Sequence, residues 1–231
     1  MQLLLLSNSS LPGQGYLQHA QDAIRAAVKT RKHALFIPFA GVTISWDDYT
    51  KKVRQALSAI DIAITPVHTA ADPRQAVINA DIIIVGGGNT FNLLKCCRER
   101  GLLTAIRQRV QQGAAYIGWS AGANLACPTI CTTNDMPITD PQGFDALRLI
   151  DFQINPHYTN QLPVGHQGET RNQRLAELLI AQPDITIVGL PEGDWLTVDD
   201  KRIRLDGPHP ATLFRAQQAP ETLDCGEIRL S

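Results

Sequence analysis

Apolar and polar residues alternate along this chain in two kinds of block. Short, largely apolar runs at residues 3–6, 33–39, 61–65, 81–85, 114–117, 149–154 and 185–190 read as strands, and the β-branched run at 81–85 is apolar on both faces, as a central parallel strand should be. Between them, apolar residues recur three and four apart. Residues 16–31 place Leu17, Ala20, Ile24, Ala27 and Val28 on one helical face, and 46–60 do the same with Val53, Ala56, Leu57 and Ile60. Further helices are expected over 73–80, where Asp72 is the cap and Pro73 the first helical residue, and over 90–100, 102–112 and 168–182. Strand and helix patterns in turn predict an α/β fold, a mostly parallel sheet flanked by helices with right-handed crossovers. The tail differs. Runs at 195–198, 201–205 and 211–215 are separated by the turns Asp199-Asp200 and Asp206-Gly207, and they predict a small antiparallel C-terminal extension covering a sheet edge. No linker or repeat interrupts the pattern, so residues 1–231 are expected to form one domain.

The run at 114–117 stops at Gly118-Trp119-Ser120-Ala121-Gly122, a G-x-S-x-G sequence. That spacing suits a strand turning sharply into a helix with the serine at the apex. Glycines on either side let the backbone close tightly, and the N–H groups that open the helix face the oxygen that gains charge when the serine attacks a carbonyl. Ser120 is therefore a candidate nucleophile, with Pro128 limiting the following helix to a turn or two.

Gly86-Gly87-Gly88-Asn89-Thr90 follows the strand at 81–85 directly. A dinucleotide fingerprint would need glycine at position 91, where Phe91 stands, and a phosphate loop would need Gly-Lys-Ser/Thr, which is absent. The remaining functional reading is a backbone oxyanion site, with Gly88 N–H and Ala121 N–H as donors; the plain alternative is a tight turn. Asn155-Pro156-His157 ends the run at 149–154, which would bring His157 to the edge of the sheet where Ser120 lies and make it the candidate base. His166, in the loop beyond, is a weaker candidate. Pro191-Glu192-Gly193 ends the last apolar run, and Asp135 lies in a long irregular region at 128–147. Either carboxylate could orient His157.

Composition narrows the partners. With 21 Lys and Arg against 22 Asp and Glu the net charge is −1, which gives no electrostatic case for nucleic acid or a membrane surface. No run approaches a membrane span, and the first residues lack the cationic lead of a signal peptide. Five scattered cysteines, an odd number with no zinc-ligand spacing, suggest thiols in a reducing cytoplasm and no metal.

Taken in order, Gly86-Gly87-Gly88-Asn89-Thr90, Gly118-Trp119-Ser120-Ala121-Gly122-Ala123, Asn155-Pro156-His157 and Pro191-Glu192-Gly193 make the chain resemble the peptidase E family over almost its whole length. The resemblance implies a class I glutamine amidotransferase-like fold with serine where cysteine stands in the amidotransferases. It implies a cytoplasmic serine dipeptidase acting on small peptides with an N-terminal aspartate, without cofactor or metal. Ser120 carries over as nucleophile, His157 as base and Glu192 as the acidic partner. With Asp135 displaced from that role, it could receive the α-ammonium of the substrate. An N-terminal aspartate needs a cation for its side chain, and Arg171, at the start of a helix, is the candidate, with Asn89 and Thr90 as further contacts. A related esterase, a cyanophycinase-like exopeptidase and a non-enzymatic small-anion module are the alternatives.

Overall fold

The strand runs form two sheets. The computed structural model describes residues 1–162, 164–165, 167–200 and 202–230. Five strands, β1 (Gln2–Leu6), β2 (His33–Ile37), β3 (Ala63–Pro66), β4 (Ile82–Val85) and β5 (Ala115–Trp119), lie parallel in the order β1-β5-β4-β2-β3. Leu6 is level with Trp119, and Val85 with Gly118, so the residues that follow β1, β4 and β5 emerge together at one edge.

Alternation along the strands divides the core. Leu4, Leu6, Phe36, Ile84 and Ile117 pack with Ile24 and Val28 of helix α1 (Gln21–Val28) and Val53 of α2 (Trp46–Ala56). Leu3, Leu5, Leu35, Ile83, Val85 and Tyr116 face the other way. They meet Val77 of α3 (Pro73–Asn79), Leu93 of α4 (Thr90–Glu99), Ile106 of α5 (Leu102–Gln111) and Leu125 of α6 (Ala121–Ala126). Helices thus cover both faces, as a parallel sheet requires. The first expected helix is shortened to α1, because residues 18–20 wind as a 3₁₀ turn entered through Leu17 at φ 59° and Lys29 at φ 54° ends the helix. Asp72 caps α3 as the sequence indicated, accepting from the Gln75 amide at 3.0 Å.

The later runs depart from the single-sheet expectation. β6 (Gln153–Asn155) and β7 (Ile187–Gly189) are parallel to each other but do not join the large sheet. The tail strands β8 (Trp195–Asp199), β9 (Arg202–Asp206), β10 (Ala211–Phe214), β11 (Glu221–Leu223) and β12 (Gly226–Ile228) are shared between the sheets. β8 pairs antiparallel with β1, and β9 and β12 continue outward, so the edge of β1 is covered; Lys201, expected to open β9, lies outside the described residues. β10 and β11 instead complete the order β11-β10-β7-β6. Burial explains the small sheet. Ile154, Val188 and Leu213 turn toward the main core, while Ile187 and Phe214 meet Leu175 and Leu179 of α7 (Arg171–Ala181). Among the described residues no helix is long and apolar enough to cross a membrane.

Candidate active site

Ser120 follows β5 without an intervening residue and adopts φ 52°, ψ −111°, a backbone state few non-glycine residues hold. Close packing fixes it there. A Cβ on Gly118 would stand 2.5 Å from Gly122 O, and one on Gly122 would stand 2.3 Å from Val85 O, so both glycines serve close approach of α6 to the sheet. The Ser120 amide donates to Leu6 O at 3.0 Å and its carbonyl accepts the Ala123 and Asn124 amides. Its Oγ lies 2.9 Å from His157 Nε2.

His157 Nδ1 is 2.6 Å from Glu192 Oε1. A carboxylate only accepts, so the proton sits on Nδ1 and leaves Nε2 to accept from the serine hydroxyl. Although β6 and β7 belong to the small sheet, they bring His157 and Glu192 against the main-sheet serine. The turn after β1 makes that join. Ser7 Oγ accepts from the His157 amide and donates to Leu190 O, each at 2.8 Å, while Asn8 Oδ1 accepts from the Gly193 amide at 2.9 Å. Ser7 and Asn8 are both buried, and sequence reasoning missed them, reading only a polar loop. The available signal was a polar pair directly ending the apolar run at residues 3–6.

Asp135 does not meet His157. Its Oδ2 accepts from Thr90 N at 2.7 Å, Thr90 Oγ1 at 2.5 Å and Thr133 Oγ1 at 3.0 Å, at the N-terminus of α4. Oδ1 has no hydrogen bond among the described residues. Thr90 is fully buried and its hydroxyl is engaged by Asp135, so the expected substrate contact from Thr90 gives way to a supporting one. Asn89 lines the cleft, yet its Oδ1 caps α4 by accepting from Asn92 N and its Nδ2 donates to Met136 O. Each end of the amide has one partner, which leaves one N–H and one oxygen lone pair of this cleft residue unassigned.

Arg171 opens α7, behind Thr170 as the cap, and hydrogen-bonds Asn134 Oδ1. Asn134 also accepts from Asn155 Nδ2 at 2.7 Å and donates to Pro156 O at 2.7 Å, tying Arg171 to the segment that carries His157. Asn134 is a third residue that sequence reasoning missed. His166 lies outside the described residues.

The amides of Gly87, Gly88 and Ala121 have no acceptor among the described residues, whereas Gly86 N donates to Ile37 O and Asn89 N to Ala40 O. Gly88 holds φ 133°, and a Cβ there would stand 2.2 Å from Ala40 O. A cleft of about 560 Å³ opens over Gly87, Gly88, Ser120 and His157.

A strained serine bonded to a histidine that a carboxylate holds, on an α/β scaffold, defines a serine-type hydrolase. The model of peptidase family S51 matches residues 3–206, and the chain belongs to that family, as a serine-type peptidase. Over 226 residues it is 58% identical to Peptidase E of Shigella flexneri and to Peptidase E of Escherichia coli O6:H1, covering 98% of this chain and 99% of each relative. Among solved structures, a peptidase from an acI-B1 Actinobacterium superposes with a TM-score of 0.72 at 16% identity, covering 98% of this chain and 96% of that one. A Listeria monocytogenes EGD-e chain gives 0.67 at 22% identity, covering 90% and 98%. Both structural likenesses speak for the fold.

Proposed function

We propose that this peptidase hydrolyses dipeptides with an N-terminal aspartate through an acyl-enzyme on Ser120. The observation that carries the reading is the unbroken hydrogen-bond chain from Ser120 Oγ through His157 to Glu192. His157 Nε2 takes the hydroxyl proton as Oγ bonds to the carbonyl carbon of the aspartyl residue. Gly88 and Ala121 N–H groups receive the oxyanion, with Gly87 N–H also within the cleft. The C–N bond then breaks, the leaving amine takes the proton from His157, and a water deprotonated by His157 releases aspartate from the ester. The relatives named Peptidase E support the dipeptidase part of this reading.

For the aspartyl residue, Arg171 is the cation for the β-carboxylate and the free Oδ1 of Asp135 is the acceptor for the α-ammonium. Five free cysteines support work in the reducing cytoplasm.

The test is hydrolysis of Asp-p-nitroanilide beside its Glu, Asn and Ala analogues, with a β-aspartyl peptide as a further substrate. Wild type should cleave the α-aspartyl substrate in strong preference to all the others, and Ser120→Ala should lose a factor of roughly 10³ or more. Cleavage of the β-aspartyl peptide instead would move the activity to the cyanophycinase-like alternative.

A further inference from the structure

The cleft beside Ser120 contains a cation that the aspartyl chemistry leaves unused. Lys52, one turn along α2 from Tyr49, lines the same cleft as Ser120 and His157. A ladder of contacts connects them. A Cβ on Gly87 would stand 3.1 Å from the Ser120 Cβ, and Gly87 O accepts the Tyr49 hydroxyl at 3.0 Å. The Tyr49 and Tyr16 hydroxyls are 3.1 Å apart, and Lys52 Nζ sits 4.1 Å from the centroid of the Tyr16 ring. The ring face gives the ammonium a preferred seat. Lys32 and Lys95 pair with Asp61 and Glu99, whereas Lys52 has no acid partner among the described residues.

The rest of the wall has matching chemistry. Val42, Ile44 and Ile138 line the cleft, and Val42 and Ile138 are more than half exposed at 55% and 54%. Arg171, Asn134 and Asp135 do not line it. The cleft wall thus differs in kind from the cluster of Arg171 and Asp135: it has aliphatic side chains and, in Lys52, a single cation, and it holds neither that arginine nor that carboxylate. A dipeptide has this same asymmetry. Its leaving residue ends in a carboxylate one residue past the scissile bond.

We propose that Lys52, seated on Tyr16, binds the C-terminal carboxylate of the leaving residue, whose side chain lies against Val42, Ile44 and Ile138. The assignment rests on the aspartyl-dipeptidase reading and adds to it the part of the site that selects a dipeptide over a longer chain. In a longer peptide the position of that carboxylate is taken by a neutral amide, and Lys52 is left without its partner.

The experiment compares kcat/KM for Asp-Leu, Asp-Leu-amide and Asn-Leu in wild type, Lys52→Met and Lys52→Arg. Wild type should favour Asp-Leu over its amide by about tenfold, mainly through KM, since a charge-assisted contact to a solvated lysine lies at the low end of such interactions. In Lys52→Met that ratio should fall close to one, and Lys52→Arg should retain most of it. Added salt should shrink the wild-type ratio. A wild type indifferent to the amide, or a Lys52→Met enzyme that keeps the preference, overturns the assignment. Loss of discrimination between Asp-Leu and Asn-Leu in Lys52→Met also overturns it, because Lys52 would then read the aspartyl side chain. A wild type that cleaves none of the three overturns the aspartyl reading itself, and this assignment with it. Binding of Asp-Leu and its amide to Ser120→Ala, by calorimetry, should show the same preference without turnover.

Discussion

The hydroxyl of Ser7 accepts the backbone amide of His157 at 2.8 Å, across 150 residues of sequence. Its own proton goes to Leu190 O, two residues before Glu192. One buried side chain at the end of β1 therefore holds both the segment whose His157 contacts Ser120 and the segment that carries Glu192, and His157 keeps φ 53° in that grip. Ser7→Ala leaves the His157 N–H and the Leu190 carbonyl short of a partner. The variant should lose about 1–3 kcal/mol of stability in denaturant unfolding. Its kcat should fall roughly 10- to 100-fold with KM little changed, because the imidazole is misplaced while the binding groups stay.

Glu192 and Asp135 should separate in kinetics. Glu192→Gln keeps the shape but supplies no charge for the imidazolium that forms, and kcat should drop by roughly 10²–10⁴. Asp135→Asn disturbs the contacts to Thr90 and Thr133, so its effect should lie mainly in KM for the aspartyl substrate. Equal losses of kcat in the two variants would contradict this division of roles.

Asp194 provides a pH-dependent term. Its side chain is fully buried, and burial raises its carboxyl from 3.8 to about 6, partly offset by the amide and imidazole of His209. The folded state therefore holds a proton that the unfolded chain has released. Stability from this group is greatest below the unfolded value and is lost as pH rises from about 4 through about 6. Comparing urea midpoints of wild type and Asp194→Asn across that range should show the wild type losing stability relative to the variant, with a constant difference above it.

Gly118 and Gly122, on either side of the Ser120 turn, should tolerate no side chain. In Gly122→Ala the new methyl would stand 2.3 Å from the Val85 carbonyl, backbone that cannot step aside cheaply. The thermal midpoint should fall, with a cost of about 1–3 kcal/mol or more, and activity should fall with it as Ser120 shifts.

Arg171→Ala should lower the preference for Asp over Asn substrates while sparing Asn hydrolysis. Arg171→Lys should recover only part of the preference, since a single ammonium lacks the two-pronged fork. Rates for paired Asp and Asn p-nitroanilides measure this directly.

Much of the molecule follows from local pattern. The parallel strands β1, β2, β4 and β5 were readable because each is an apolar run buried on both faces, and a run of that kind has one stable setting between helices. α3 was readable because Asp72-Pro73 is a start signal with a mechanism, and Gly118, Ser120 and Gly122 because close approach and a strained apex restrict residue type at fixed spacing. None of these needs a distant partner. The allocation of β6 and β7 to a separate sheet was decided by tertiary structure, because a strand's apolar pattern states that it is buried and not which neighbour buries it. The same holds for Ser7, Asn134 and the engaged side chains of Asn89 and Thr90. A polar residue's meaning depends on where its hydrogen-bond partner stands, and these partners come from segments far away in sequence. The sequence by itself determined most of the elements and the candidate side chains; only the fold decided which carboxylate reaches His157, since that is a distance between two loops.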